Sequence, residues 1–153
     1  MALVILGKTI CHLCGRVIEE GDEIESFPPM AVDAADPLAD FSDAGVHREC
    51  LENDPRGRAA SALLEEVLAA RDFSRTCEVC AELITDPDDY FSFGILTSRR
   101  TDPLYRFNLR TFHRSHLGRW QDAGTALELI RARSREFPSG AMNVLAEQIE
   151  RGL

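Results

Sequence analysis

The chain of 153 residues has one lysine against sixteen arginines, a single tryptophan and no long apolar run. At the N-terminus only residues 2–6 are continuously apolar before Gly7 and Lys8. That run is too short for a secretory leader or a membrane span, so the expectation is a cytoplasmic protein with no membrane contact. Positive charge is also scarce: 17 basic against 26 acidic side chains leave a net charge of −9, which does not suit a protein built to coat a polyanion. There is no glycine-rich phosphate loop and no nucleophile with an adjacent base, so no enzymatic activity is expected. The five cysteines are odd in number, which in a reducing compartment argues against a disulfide framework and for metal ligation.

What the sequence does contain is a repeated ligand pattern. Cys11 and Cys14 form a CxxC that is followed, beyond the segment 15–46, by the HxxC of His47 and Cys50. Cys77 and Cys80 form a second CxxC, followed beyond the equally long segment 81–112 by the HxxH of His113 and His116. Sliding residues 11–51 onto 77–117, an offset of 66, superimposes all four pairs without a gap and gives thirteen identities in 41 positions. Among them is Asp36-Pro37-Leu38 with Phe41, which has no ligand role, so the match exceeds coincident ligand spacing. The chain is an internal duplication.

These residue types suit zinc. A CxxC on a tight turn points backbone N–H groups at both sulfurs and stabilises thiolates, the form that binds metal. Gly15 supplies the permissive backbone after the first pair, and Ala81 is the weaker choice in the second. A helix starting at the HxxC would favour the Cys50 thiolate by about 0.3–1 kcal/mol through its dipole. The expected cofactors are two structural Zn²⁺ ions, one on Cys11, Cys14, His47 and Cys50, the other on Cys77, Cys80, His113 and His116. With the thiolates counted, the first site carries −1 and the second is neutral. A cross-braced arrangement keeps its inner ligand pairs close, whereas the whole segment 51–76 separates Cys50 from Cys77 here, which favours sequential sites. His12, the remaining histidine, is expected to be solvated.

Between the ligand pairs, residues 23–27 and 90–93 read as first strands, and residues 105–110 as a return strand by their period-two alternation. Pro28-Pro29 and the Asp-Pro dipeptides mark the loop between. A helix follows the first site and stops near Asn53, before Pro55 and Gly57. The next helix spans residues 58–71 with the stripe Leu63, Leu64, Val67 and Leu68. In the second copy the stripe is Trp120, Ala123, Leu127 and Ile130. Pro138 then breaks the chain, Ser139 can cap, and Met142, Leu145, Ala146 and Ile149 line a last helix. The expected fold class is α+β: two tandem treble-clef zinc fingers packed with additional helices, with modules at 1–72 and 73–136 and a C-terminal helix at 137–153.

Cys11-x-x-Cys14, Ile18, Gly21-Asp22-Glu23 and, after a long gap, His47-x-x-Cys50-Leu51 resemble treble-clef fingers of the LIM and poly(ADP-ribose) polymerase types. The resemblance covers residues 11–51 and their counterparts 77–117, and it implies the fold and the metal. LIM fingers imply protein contacts, and polymerase-type fingers imply nucleic acid.

Charge separates the copies. Residues 1–72 hold six basic and fifteen acidic side chains, a net of −9, whereas residues 73–153 hold eleven of each. Within 99–119 six arginines face Asp102 alone. The functional expectation is a zinc-binding interaction scaffold whose acidic half docks a basic protein. The alternative is a nucleic-acid-binding regulator that uses Arg99, Arg100, Arg106 and Arg110 with interleaved aromatics.

Overall fold

The computed structural model describes residues 2–30, 34–73, 75–137 and 140–152. Strand β1 (Ile24–Ser26) pairs antiparallel with β2 (Gly45–His47), in the register Ile24↔His47 and Ser26↔Gly45. Strand β3 (Tyr90–Ser92) pairs with β4 (Thr111–His113), in the register Tyr90↔His113 and Ser92↔Thr111. The second register is the first carried along the chain by the same offset that aligns the two ligand sets. That offset also relates the knuckle bridges Ile10↔Val17 and Thr76↔Leu83, and the 3-10 turns Ala39–Phe41 and Tyr105–Phe107. Duplication in the sequence is therefore duplication in the backbone. The architecture is α+β, with two small sheets and four α-helices among the described residues.

Helix α1 (Arg48–Asn53) begins directly after β2, and α2 (Gly57–Phe73) follows across Asp54, Pro55 and Arg56. Gly57 is required at that corner, because a Cβ there would overlap the Leu51 carbonyl oxygen. In the second copy the element after β4 is a 3-10 helix, Arg114–Arg119, leading into α3 (Ala123–Glu136). Helix α4 (Gly140–Gly152) packs on α3 and buries Met142, Ala146 and Ile149. Pro138 and Ser139, expected to break and cap the chain, lie outside the described residues. No helix among the described residues is long and apolar enough to cross a membrane.

One strand assignment needs correction. Residues 105–110 are not the return strand; 105–107 form a 3-10 turn and the strand is Thr111–His113. The alternation of Tyr105, Phe107 and Leu109 reads as a strand, but Asp102 Oδ1 accepts from the Leu104 N–H at 2.9 Å and starts a turn instead. Leu104 and Phe107 are buried at spacing three, as a 3-10 turn requires.

Each module has its own core. In the first, Phe27 and Phe41 meet edge-on at 5.4 Å, with Ile18, Met30, Leu63, Leu64 and Val67 around them. In the second, the equivalent Phe93 and Phe107 lie 6.1 Å apart, enlarged by Phe91, Phe112 and Trp120. The helix stripes pack on their own modules except for Leu68, expected in the α2 stripe but exposed to solvent. The joint between modules is made elsewhere, by the second module's loop. Ile95 enters the first core and Leu109, half-buried, packs against it. Asp36, only 5% exposed, accepts from Leu38 N at 2.9 Å, Thr97 Oγ1 at 3.1 Å, Ser98 N at 2.8 Å and Ser98 Oγ. A buried carboxylate is tolerable only when its lone pairs are satisfied in this way. The equivalent Asp102 makes the same turn and receives Arg133 of α3. The shared aspartate is thus a docking joint in both copies, to the second module's loop in the first and to α3 in the second.

Candidate metal centres

The first centre is built on a knuckle, a strand end and a helix start. Cys11 N–H donates to Arg16 O at 2.8 Å and Gly15 N–H to Cys11 O at 2.9 Å, closing a turn whose Gly15 sits at φ 73°. His47 ends β2 and Cys50 lies in the first turn of α1. The ligand atoms of Cys11, Cys14, His47 and Cys50 all lie within 4.8 Å of one another. His47 Nδ1 is 3.5 Å from Cys14 Sγ and 3.9 Å from Cys50 Sγ. Tetrahedral coordination with metal–sulfur near 2.3 Å and metal–nitrogen near 2.0–2.1 Å requires sulfur and nitrogen about 3.5 Å apart. No disulfide joins any of the five cysteines. The donor set fits a metal ion.

The His47 ring is fixed from behind, its Nε2 lying 3.1 Å from Asp22 Oδ2. A carboxylate behind a ligating imidazole sets its tautomer and orientation. Burial opposes ionisation of Cys11, but N–H groups of His47, Cys14 and Leu13 outweigh it and bring the thiol below its ordinary value. Arg16 brings the Cys14 thiol down to about 6. Cys50 moves the other way, to about 11, through burial and then through its neighbours Cys14 and Cys11. The helix start does not make Cys50 the readiest thiolate, because two nearby sulfurs already hold negative charge.

In the second centre, Cys77, Cys80 and His116 come within 4.8 Å of one another, with His116 Nδ1 3.6 Å from Cys77 Sγ. His113 stands beside this trio, grouped with Cys80 and Glu82, and its ring centre is 4.8 Å from that of His116. The difference from the first site traces to one residue. The carboxylate behind His113 is Asp89, the positional match of Glu23, whereas Asp22 matches Asp88. Asp89 Oδ2 lies 2.9 Å from His113 Nδ1 and also receives Ser115 Oγ at 3.1 Å, which turns the other ring nitrogen to the sulfur side. Position 82 also differs: Glu82 stands where the first copy has Arg16, and Cys80 lies above the ordinary thiol value. The backbone N–H of Glu82 alone opposes that rise; burial, the Cys77 sulfur and the Glu82 charge cause it. Ala81 occupies the left-handed region at φ 58°, the conformation that Gly15 adopts in the first copy.

Sequence reasoning missed the supporting shell of Asp22, Asp89, Arg16 and Glu82. Comparison of the copies at offset 66 carried a signal for part of it, in the opposite charges at 16 and 82, whereas the Asp22/Asp88 identity points one residue short of Asp89. His12 is exposed, as expected for a solvated knuckle residue.

The four arginines do not form one surface. Arg99 donates to Ala35 O and Arg100 to Glu66, both in the first module, and Tyr105 Oη also reaches Glu66 at 2.7 Å. Arg106 faces Asp122 at 3.7 Å, and Arg110 meets Glu78 at 2.5 Å. A return strand over 105–110 would set Arg106 and Arg110 on one face, but Arg106 lies in the 3-10 turn and Arg110 precedes β4. Comparison with known proteins finds no matching family model, no matching curated protein and no matching solved structure.

Proposed function

We propose that the two Cys/His clusters are structural zinc sites in tandem treble-clef fingers, and that the chain is a non-enzymatic scaffold whose first module docks a basic protein segment. Thiolate and imidazole donors in fours are the ligand set of closed tetrahedral zinc. His113 completes the second set by a rotation within its present neighbourhood.

The observation that carries the docking role is an uncovered apolar face on an acidic module. Leu3 is 83% exposed, and Ile5, Leu6, Ile10 and Val17 are also exposed. They share one folded unit: Gly7 N–H donates to Ile18 O at 2.8 Å, Ile18 N–H to Thr9 O at 2.9 Å, and Ile10 bridges Val17. Exposed Glu19, Glu23, Glu49 and Glu52 line the adjoining hollow. An apolar patch with an acidic rim suits an amphipathic basic partner.

Two measurements test this reading. Elemental analysis of untagged protein is expected to return about two zinc ions per chain; a ratio near one, or iron instead, overturns the zinc assignment. Affinity capture from the native cell, with nuclease present, is expected to retain a basic protein that a Leu3→Asp, Ile10→Asp variant loses. Capture that nuclease abolishes would favour nucleic acid as the partner.

A further inference from the structure

A cleft of about 390 Å³ opens on the second module, lined by Glu78, Arg106, Arg110, Arg119, Trp120 and Asp122 among others. Three guanidinium groups face two carboxylates there, so the lining keeps positive charge. Arg106 lies over the Phe107 ring at 4.5 Å, and Arg110 Nε donates to Arg106 O at 3.2 Å, which holds both side chains in place. Arg119 is exposed and has no hydrogen-bond or ion-pair partner among the described residues. Trp120 is partly exposed. Its packing partners are the core rings Phe112, Phe107 and Phe93, at 4.6, 5.4 and 5.7 Å.

The first module shows what this place looks like without such a cleft. Positions 106, 110, 119 and 120 correspond to Asp40, Ala44, Asn53 and Asp54. There Arg56 fills the corner, with Nη1 2.7 Å from Asp40 and Nη2 3.0 Å from Asp54. The exchange of two acids and two neutral residues for three arginines and a tryptophan, together with that of Arg56 for Asp122, accompanies the change from the α-helix Arg48–Asn53 to the 3-10 helix Arg114–Arg119.

We propose that this cleft binds a nucleotide, either free or as one unit of a strand. The phosphate sits on Arg119, and the base lies against Trp120; Arg110, already held by Glu78 and by Arg106 O, adds only its charge to the rim. Guanidinium groups match phosphate oxygens in pairs, and an indole face accepts any base by stacking. The cleft volume suits a ligand of that size. A continuous strand track is not available, because Arg99 and Arg100 are turned into the first module. The site therefore takes one unit.

Trp120 is the only tryptophan in the chain, so intrinsic emission reports on the cleft directly. The zinc-loaded full chain is titrated at low salt with nucleoside monophosphates, the matching nucleosides, inorganic phosphate and a short single-stranded oligonucleotide. Saturable quenching by the monophosphate is expected. It should weaken by at least about tenfold in Arg119→Gln, the size of one lost charge-assisted hydrogen bond. Arg131→Gln, whose exposed partner Glu150 lies on α4, should leave it unchanged. Tighter binding of the oligonucleotide than of the monophosphate identifies a strand as the source, and equal binding identifies the free nucleotide. Absence of saturable quenching overturns the proposal. So does an equal loss in both variants, or competition by phosphate or nucleoside alone as strong as by the monophosphate.

Discussion

The two modules share a backbone and differ in what they do with charge. In the first, Arg56 reaches Asp40 and lies over the Phe41 ring at 5.3 Å. In the second, the equivalent positions hold Asp122 and Arg106, and the guanidinium lies over the equivalent ring, Phe107, at 4.5 Å. The ion pair and the cation over the ring survive with their ends exchanged. A fold of this kind constrains where opposite charges meet but not which element supplies each sign. The same holds at the candidate metal centres, where Arg16 and Glu82 occupy one backbone position and their charges move the neighbouring thiols in opposite directions.

Removing a ligand breaks the comparison most severely. Cys14→Ser is expected to destabilise more than Cys80→Ser, because the first cluster holds three thiols and the second two. Both should cost several kcal/mol, since metal binding is folding free energy in small modules. Denaturant titration with parallel metal analysis checks this; unchanged midpoints in both variants would show that neither site is structural.

The joint comes next. Asp36→Ala leaves Thr97, a buried residue, and the Ser98 N–H without their acceptor. A loss of about 2–3 kcal/mol is expected, the scale of a broken buried hydrogen-bond group. Calorimetry is expected to show the modules of the variant melting separately and the unaltered chain melting as one unit. A single unchanged transition would mean that Ile95 and Leu109 suffice to hold the modules together.

Acidity sharpens the contrast between the centres. Metal binding needs thiolate, and Arg16 keeps Cys14 ionised down to about 6. Arg16→Glu should raise that value, so protons compete earlier and the first site releases metal at a higher pH. Glu82→Arg should lower the Cys80 value and shift release from the second site to a lower pH. Chelator competition across pH 4–9 reads both midpoints (a window of about five units around the thiol and imidazole range). Shifts of the same sign in both variants would refute the account.

The smallest effect lies in the knuckles. Gly15 and Ala81 share the left-handed conformation, at φ 73° and 58°. Ala81→Gly should stabilise the second module and Gly15→Ala destabilise the first, each by about 1 kcal/mol. Thermal denaturation of the two single variants measures the difference.

The ligand spacing and the duplication were legible because each CxxC, HxxC or HxxH is a contiguous tetrapeptide and a single offset of 66 superimposes all four pairs. The helix over residues 58–71 was legible for the same reason, since its stripe repeats within one element. The joint was not. Nothing near Asp36 announces that its carboxylate meets Thr97 and Ser98, and Leu109 reads as a strand residue until it is seen packed against the first core. The arginines read as one candidate nucleic-acid contact because one-dimensional clustering does not tell where Glu66, Glu78 and Asp122 stand. Trp120 was read as part of a helical stripe, although it caps a 3-10 turn shortly before α3 begins.

The exchanged ion pair also bears on how the chain avoids tangling with its own duplicate. Tandem copies of one backbone can fold with their parts crossed, the loop of one copy closing on the helix start of the other. A crossed closure here would set Asp40 against Asp122 and Arg106 against Arg56, so both contacts become repulsive. At about 4 Å each costs about 1 kcal/mol even in water. Opposite wiring thus gives each half an address that its twin does not share. A variant carrying Arg106→Asp with Asp122→Arg keeps an ion pair in the second module but erases the address. It is expected to refold to the same structure with a lower yield and more swapped or aggregated chains, and an undiminished yield would show that fidelity comes from elsewhere.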